Sequence, residues 1–381
     1  MNKIPLLPQP TWITTAHQLE QLTADLCAET VVAVDTESDS LYSYFEKVCL
    51  VQFSTSKADY LLDPLNVDIA GLADFFANPS IQKVFHAAEY DILSLKRDYD
   101  FTFVNLFDTM LAAKILGWPR FGLGPILETY FGIKPDKRFQ RYNWGKRPLS
   151  KHASDYARLD THYLLSLREI QLEELTQQNR LREAEEAFAR QVQVEPNPKT
   201  FDPDDFWRVK GCKDLLPQQQ AVLRELYIVR DKIARKIDHP PFKVMNDDTL
   251  ICLAKQQPET DAALEDIKGI SHRLLKYNSA DIFKAIEQGQ TASPPHYHPY
   301  NNHRPDEKTL TRYETLRQWR NKLAAERGVE PDVIINNDTL MDIARRNPRS
   351  LKILMQMENL GTWQVETYGQ AMLRVLKQAA R

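Results

Sequence analysis

Residues 31–37, VVAVDTE, decide the fold class, because four apolar residues run directly into two carboxylates. A short, nearly all-apolar run rich in valine is typical of a buried central strand. The stretches VCLVQFST (48–55) and ADYLLDP (58–64) follow, and only two polar residues separate them, which predicts a β-hairpin. Farther on, IQKVFHAAEYDILSLKRDY (81–99) begins as a strand and continues as a helix. This order of strands and helices predicts a mixed α/β domain.

The two carboxylates that end this strand are candidate metal ligands. Side chains alternate between the faces of a strand, so Asp35 and Glu37 share one face and Thr36 faces the opposite way. Adjacent carboxylates at the end of a buried strand repel each other unless a cation lies between them, and Mg²⁺ and Mn²⁺ prefer oxygen ligands. An isolated Asp-x-Glu pair usually points into water. The pair Asp35 and Glu37 is stronger evidence for a metal site because it follows an apolar strand.

Two further candidates lie on predicted helices. Asp91 falls in the first turns of the helix within 81–99, where its alternative role is to stabilise the helix dipole. Tyr156 and Asp160 stand four residues apart in a helix that begins after the N-cap residue Ser150. That spacing projects the phenol and the carboxylate from the same face. The alternative for this pair is core packing by the tyrosine and a surface position for the acid.

The C-terminal half contains an internal repeat with an offset of 90 residues. The segment RDKIA at 230–234 recurs as RNKLA at 320–324, within a longer match between the two copies. Apolar residues at helical spacing in each copy predict a duplicated helical module. Stretches rich in proline and polar residues, at 195–205 and 288–307, are predicted linkers.

Length, hydropathy and charge restrict the class of protein. A chain of 381 residues predicts two or three domains. It has no apolar run near the roughly 20 residues of a membrane span, and no signal peptide is recognisable, so we expect a cytoplasmic protein. The four cysteines form no CxxC pair, which argues against a zinc site and a disulfide framework. Residues 1–195 carry 20 Lys/Arg and 27 Asp/Glu, whereas the remainder carries 29 Lys/Arg and 25 Asp/Glu. The N-terminal part is therefore acidic and the C-terminal part is basic.

A basic strip interrupts the acidic half. Residues 120–151 hold eight basic and two acidic side chains. The basic residues nearest to Tyr156 are Lys137, Arg138, Arg141, Lys146, Arg147 and Lys151, and the aromatic residues Phe139, Tyr142 and Trp144 interleave with them. Proteins that bind single-stranded nucleic acid use cationic side chains to contact the phosphates and aromatic rings to stack on the bases. The alternative is a flexible surface loop that Trp144 anchors to the body, and both can hold.

Three short motifs carry a family resemblance. In this order, DTE (35–37), FHAAEYD (85–91) and YARLD (156–160) resemble the exonuclease motifs of the DEDD superfamily, and the tyrosine of the third motif marks the DEDDy branch. The flanking DTMLAAKILG (108–117) resembles ribonuclease D, and the repeated modules resemble HRDC domains. The resemblance extends over nearly the whole chain. One departure is Ala153, where the family usually carries glutamine.

The resemblance implies a fold and a domain order. We expect an α/β ribonuclease H-like exonuclease domain, a mixed sheet flanked by helices, at residues 1–195. Two all-α HRDC helical bundles are expected at 206–290 and 306–381, with a linker at 291–305. The HRDC bundles are expected to bind RNA outside the active site. The alternative is that they act as a scaffold or in oligomerisation.

The resemblance also implies an activity. We expect a monomeric 3′–5′ exoribonuclease that releases nucleoside 5′-monophosphates, acts on tRNA precursors with 3′ extensions, and needs no membrane or nucleotide cofactor. Two divalent ions, Mg²⁺ or Mn²⁺, would lie about 3.5–4 Å apart. Their implied ligands are Asp35, Glu37, Asp91 and Asp160. Tyr156 completes the catalytic set as a group that positions water, because a phenol with a pKa near 10 is a weak base at neutral pH. The predicted nucleic-acid contacts are Thr36, Lys137, Arg138, Arg141, Trp144, Lys146 and Arg147.

Two rival functions stay open at this point. One is a 3′–5′ exonuclease that acts on DNA, and the other is a catalytically inactive RNA-binding protein on the same fold. The intact set of carboxylates argues against the second. Asp108 is left out of the metal set because helix N-capping explains it, and His86 is expected to pack beside the site without binding metal.

Overall fold

The computed structural model describes residues 8–197, 200–297 and 305–379, and the chain forms two compact units. The first contains the described parts of residues 1–38, 48–196 and 302–381, and the second contains those of 39–47 and 197–301. The start of the chain and both predicted linkers therefore lie partly outside the described residues. In the described residues, no helix combines the length and apolar character needed to cross a bilayer. None of the four cysteines, all of them described, forms a disulfide.

A mixed six-stranded sheet forms the centre of the first unit. Its strands are β1 (Thr11–Ile13), β2 (Val31–Ser38), β3 (Val48–Ser54), β4 (Asp59–Leu62), β5 (Gln82–Phe85) and β6 (Leu106–Asp108). Their spatial order is β1-β4-β3-β2-β5-β6. β3 pairs antiparallel with both β2 and β4, and the other three pairings are parallel. The predicted mixed α/β fold and the hairpin are confirmed.

The strand that carries the carboxylates differs from the prediction in two details. It is preceded by a short strand that was not predicted, Thr11–Ile13. It also continues to Ser38, so Asp35 and Glu37 lie within the strand. Three residues are too few to show the alternation by which a strand is recognised in a sequence, which explains the missed β1.

Eight α-helices accompany this sheet in the described part of residues 1–197. They are α1 (Ala16–Cys27), α2 (Ala73–Ala77), α3 (Glu89–Tyr99), α4 (Thr109–Leu116), α5 (Leu123–Phe131), α6 (Lys151–His162), α7 (Leu164–Gln177) and α8 (Leu181–Gln191). The strand β3 is buried along its whole length. Its Val51 and Phe53 belong to the main core, whereas Leu50 packs in a separate cluster with Ala153 and Ala157 of α6. Burial by two different layers explains why this strand is a continuous apolar run.

The C-terminal half forms two copies of one helical module. The first copy contains α9 (Pro217–Ile237), α10 (Pro241–Val244), α11 (Asp247–Gln256), α12 (Asp261–Glu265) and α13 (His272–Thr291). The second contains α14 (Glu307–Arg327), α15 (Pro331–Ile334), α16 (Asn337–Arg346), α17 (Leu351–Leu354) and α18 (Thr362–Gln378). Corresponding helices begin 90 residues apart, which confirms the repeat. Because α13 continues to Thr291, the second linker begins later than the predicted residue 288.

The second unit joins the first helical module to residues 39–47, a segment that falls within the predicted exonuclease domain. The Tyr44 hydroxyl donates to Asp231 (2.6 Å) and accepts a hydrogen bond from Arg235 (2.8 Å). The backbone N–H groups of Tyr44 and Phe45 both donate to Asp238 (2.9 and 3.0 Å). The second module has Asn, Ala and Gly at the positions that correspond to these three charged residues, so this contact is specific to the first copy.

The second module belongs to the first unit, where it packs on α8. Arg327 forms a two-pronged ion pair with Glu183 (2.9 and 2.6 Å), and the two side chains are 18% and 5% exposed. Glu186 accepts hydrogen bonds from the first N–H groups of α18, including that of Trp363 (2.6 Å). A Cβ atom at Gly361 would collide with the Glu186 carboxylate, so glycine permits this close approach. The first module has Ile237 where the second has Arg327.

Replacing Arg327 with alanine is expected to lower the free energy of unfolding by about 3 kcal/mol, because the buried Glu183 would lose the side chain with which it forms an ion pair. Chemical denaturation of the full chain measures this change. Arg317→Ala is the matched control in the same helix, since its ion pair with Glu314 is about half exposed and should contribute less than about 1 kcal/mol. Equal losses in the two variants would contradict a docking role for Arg327.

Candidate metal centre

Three of the four predicted carboxylates converge at one place on the sheet. Asp35 and Glu37 project from β2, and Asp160 projects from α6, which lies against β2 and β3. One carboxylate oxygen from each lies within 4.8 Å of the others. Ser150 caps the start of α6 as predicted, accepting a hydrogen bond from the N–H of Ala153 (3.2 Å). Residues 125 positions apart in the chain thus form one cluster of oxygen ligands.

Asp91 stands beside this cluster and is held by a different contact. One oxygen of its carboxylate accepts hydrogen bonds from the backbone N–H (3.0 Å) and the hydroxyl (2.5 Å) of Thr36. Asp91 lies in the first turn of α3 as predicted, and Thr36 is only 8% exposed. The side chain of Thr36, a predicted nucleic-acid contact, is therefore committed to orienting Asp91.

The electrostatics of the cluster are those of crowded negative charge. Burial raises the pKa of Asp35 well above its ordinary value, and the three neighbouring carboxylates raise it further. Burial also raises the pKa of Asp160 to about 8 and that of Asp91 to about 7. Within the described residues, none of these groups forms an ion pair with a basic side chain. The surplus negative charge of these carboxylates favours the binding of a cation.

The donor set fits a hard divalent cation. All of its candidate ligand atoms are carboxylate oxygens, which Mg²⁺ and Mn²⁺ prefer, and three of them are within reach of one ion. Mutual repulsion raises the pKa of Asp35, and a divalent ion would relieve it. The three converging residues Asp35, Glu37 and Asp160 could hold the ion directly, with Asp91 adjacent.

Tyr156 lies on α6 one turn before Asp160, and its ring packs in an aromatic cluster. Its ring centroid lies 5.4 Å from that of Phe139 and 6.3 Å from that of Trp144. Burial, and then the charges of the neighbouring carboxylates, raise the pKa of Tyr156 well above its ordinary value. The phenol therefore stays protonated at neutral pH and can donate a hydrogen bond.

The predicted RNA-binding strip divides into anchoring and exposed residues. Trp144 is 2% exposed, which matches the anchoring alternative for this segment. The Arg147 guanidinium makes two hydrogen bonds to Asp63 (2.6 and 2.7 Å) and others to backbone carbonyls, so it clamps the segment to β4. The remaining predicted contacts, Lys137, Arg138, Arg141 and Lys146, are exposed.

Asp108 has a structural role larger than the predicted one. It caps α4, as expected, by accepting hydrogen bonds from the first N–H groups of that helix. It also accepts from the N–H groups of Ala87 and Ala88 (3.1 and 2.8 Å), and Ala87 is in the left-handed region with φ of 63°. Asp108 therefore fixes the turn that starts α3. His86 lies 2.9 Å from the Thr109 hydroxyl, and burial lowers the pKa of this histidine to about 4.

Two residues of this region escaped the sequence analysis. Asp63 pairs with Arg147 across 84 positions in the chain, and Gln52 lies directly opposite Asp35 in the β2–β3 ladder. The predicted hairpin pairs Gln52 with β4, so only the register of β3 against β2 shows that Gln52 and Asp35 are cross-strand partners. Nothing in the local sequence around Asp63 marks it as the partner of an arginine.

Comparison with known proteins assigns the family. Residues 10–176 match the 3′–5′ exonuclease family, and residues 219–286 and 309–376 each match the HRDC domain. The exosome complex exonuclease RRP6 of Saccharomyces cerevisiae is 36% identical over 265 residues, which cover 65% of this chain and 36% of that protein. The chain spans about a third of the length of the RRP6-type relatives that it matches.

Two further relatives are covered over most of their length. The catalytic core of RRP6 from Trypanosoma brucei is 30% identical and superimposes with a TM-score of 0.69, covering 75% of this chain and 81% of that one. Ribonuclease D of Acidiphilium cryptum is 30% identical over 276 residues, which cover 71% of this chain and 69% of that protein. The chain therefore belongs to the ribonuclease D family, with a 3′–5′ exonuclease domain of ribonuclease D type followed by two HRDC domains.

Proposed function

We propose that this protein is a 3′–5′ exoribonuclease that hydrolyses RNA to nucleoside 5′-monophosphates with the help of two divalent metal ions. The observation that carries the proposal is the meeting of Asp35, Glu37 and Asp160 within 4.8 Å beside the protonated phenol of Tyr156, on the fold of this family. A catalytically inactive RNA-binding protein would have no need of three partly buried, mutually repelling carboxylates.

The chemistry assigns a separate task to each group. Bound divalent ions would neutralise charge on the scissile phosphate and make water a stronger nucleophile. Asp35, Glu37 and Asp160 would hold them, and Asp91, oriented by Thr36, would complete the carboxylate set. Tyr156 would position the attacking water by donating or accepting a hydrogen bond while keeping its proton.

The substrate and the setting are further parts of the proposal. The relatives named ribonuclease D and exosome exonuclease favour RNA over DNA as the substrate. We infer that tRNA precursors with 3′ extensions are processed by a monomer in the cytoplasm. The basic residues Lys137, Arg138, Arg141 and Lys146 are exposed in the segment before the third motif, where we infer that they contact phosphates; Arg138 also pairs with Asp136 (2.6 Å).

The deciding experiment compares RNA labelled at its 3′ end with RNA labelled at its 5′ end. We expect immediate loss of the 3′ label as a nucleoside 5′-monophosphate and stepwise shortening of the 5′-labelled strand, with both reactions stopped by EDTA. DNA of the same sequence tests the rival substrate. Faster degradation of DNA would favour the rival, and RNA binding without any cleavage would indicate an inactive protein.

The first helical module presents a surface that suits single-stranded RNA. On α13, Arg273 and Tyr277 stand one turn apart, and the Tyr277 side chain is 68% exposed. The Lys276 ammonium lies 5.3 Å from the Tyr277 ring centroid. An exposed aromatic ring flanked by cations is the arrangement that stacks bases and contacts phosphates. At the positions 90 residues later, the second module carries Trp363, Glu366 and Thr367, and its Glu366 pairs with Arg182 of α8 (2.7 Å).

Tyr277→Ala is expected to weaken binding of a structured RNA with a single-stranded 3′ tail by about tenfold, because one base loses a stacking partner worth about 1–3 kcal/mol. Fluorescence anisotropy at constant salt concentration measures the dissociation constant. Thr367→Ala, at the corresponding position of the second module, is the control and should bind like the unaltered protein. Equal affinities in the two variants would exclude this surface from RNA binding.

A further inference from the structure

Gln52 is a buried polar side chain without a partner. It lies on β3, is 0% exposed, and neither its amide oxygen nor its amide nitrogen has a hydrogen-bond partner among the described residues. Buried polar side chains are nearly always hydrogen-bonded, because desolvation without compensation is unfavourable. A bound group, or a side chain that a bound group reorients, is a partner that would satisfy this amide.

The register of the sheet indicates where this amide is directed. Gln52 is the cross-strand partner of Asp35 in the antiparallel β2–β3 ladder. Cross-strand partners project from the same face, with their Cβ atoms about 4.5–5.5 Å apart. Gln52 therefore shares its face with the carboxylate that begins the metal cluster.

The neighbours of Gln52 on this face are already satisfied. Ser54, two residues along β3, has its hydroxyl 2.7 Å from Asp59 and 2.8 Å from the Thr161 hydroxyl of α6. Leu50, two residues in the other direction, packs in the apolar cluster that includes Ala157 of α6. Both contacts reach α6, which also supplies Asp160. The unsatisfied amide thus lies between a closed polar network and an apolar patch, beside the carboxylates.

We propose that Gln52 is a positioning residue of the metal centre, whose side-chain amide donates a hydrogen bond to the Asp35 carboxylate when a divalent cation is bound. A carboxylate that binds a metal ion commonly accepts a second hydrogen bond that fixes its orientation. The cation would draw the Asp35 carboxylate into one orientation, and the Gln52 amide is the cross-strand donor available to it. This inference rests on the proposed function, since it requires that the cluster binds a divalent ion.

Calorimetric titration of the full chain with Mn²⁺ alone tests the proposal. Gln52→Met replaces the amide with an apolar group of similar size. We expect its dissociation constant for Mn²⁺ to rise about 10- to 100-fold. Its melting temperature in EDTA should stay unchanged or rise, because two unsatisfied buried atoms are removed. Saturating Mn²⁺ should restore most of the nuclease rate, because Gln52 does not itself contact the reacting atoms.

Two further variants make the outcome decisive. Gln52→Asn keeps the amide but withdraws it by one methylene, so it should give a smaller rise in the dissociation constant, and it serves if the methionine variant does not fold. Gln171→Met is the matched control, because Gln171 is also 0% exposed with an unpartnered amide oxygen but donates to the Thr109 carbonyl (2.8 Å). Its Mn²⁺ affinity should be that of the unaltered protein.

The possible failures are distinguishable. If the unaltered protein does not bind Mn²⁺, the proposed function fails, and the role of Gln52 fails with it. If the unaltered protein and both Gln52 variants bind Mn²⁺ equally, only the role of Gln52 is overturned. A lower melting temperature of Gln52→Met in EDTA together with unchanged Mn²⁺ affinity would likewise overturn it, since the amide would then serve the fold alone.

Discussion

Asp35→Asn is expected to reduce the rate of 3′ nucleotide release by about 10³-fold or more. The substitution removes one negative charge from the group of three converging carboxylates and so weakens its hold on a divalent cation. Metal ions contribute several kcal/mol to the stabilisation of a phosphoryl transition state, and each 1.36 kcal/mol corresponds to about a tenfold change in rate. The measurement is the initial rate of label release from 3′-labelled RNA at saturating Mg²⁺ or Mn²⁺.

The matched control for Asp35→Asn is Glu89→Gln. Glu89 also carries a carboxylate and lies two residues before Asp91, but its side chain is exposed. We expect this control to retain nearly the full rate. Loss of activity in both variants would point to a general effect of negative charge in this region, and retention of activity in Asp35→Asn would contradict the metal centre itself.

Asp160→Asn is expected to raise the melting temperature of the protein in EDTA at pH 8 by on the order of 10 °C. In the folded protein, burial raises the pKa of Asp160 to about 8 and that of Asp91 to about 7, whereas a carboxyl in the unfolded chain has a pKa near 4. Protonation therefore favours the folded state. The stabilising contribution is complete below about pH 4 and is lost as the pH rises through 7 to 8. Asparagine has no proton to lose and therefore gains no negative charge as the pH rises.

Thermal denaturation in EDTA at pH 4 and at pH 8 measures this effect. The difference between Asp160→Asn and the unaltered protein should be large at pH 8 and small at pH 4. Addition of Mn²⁺ at pH 8 should stabilise the unaltered protein and leave the variant nearly unchanged, because a divalent ion replaces the protons in relieving the repulsion. A variant that melts below the unaltered protein at pH 8 in EDTA would show that Asp160 stabilises the fold without metal.

Local sequence patterns were sufficient to predict much of the secondary structure of this protein. The apolar run before Asp35 predicted a buried strand, because period-2 and all-apolar patterns depend only on adjacent residues. Tyr156 and Asp160 could be assigned to one helical face for the same reason, and Ser150 to its N-cap. The repeat offset of 90 residues required only comparison of the chain with itself, and the helices of the two copies keep that offset.

Local patterns therefore predict most of the strands and helices and the face on which each acidic residue lies. Which of those residues come together depends on the fold. Asp91 is bound by Thr36, Arg147 is bound by Asp63, and Gln52 lies opposite Asp35. Each of these relations joins separate elements, so it depends on strand register and on helix packing, which no local periodicity encodes. The two copies of the helical module also acquired different packing partners through single residues such as Arg327, whose role is visible only beside Glu183.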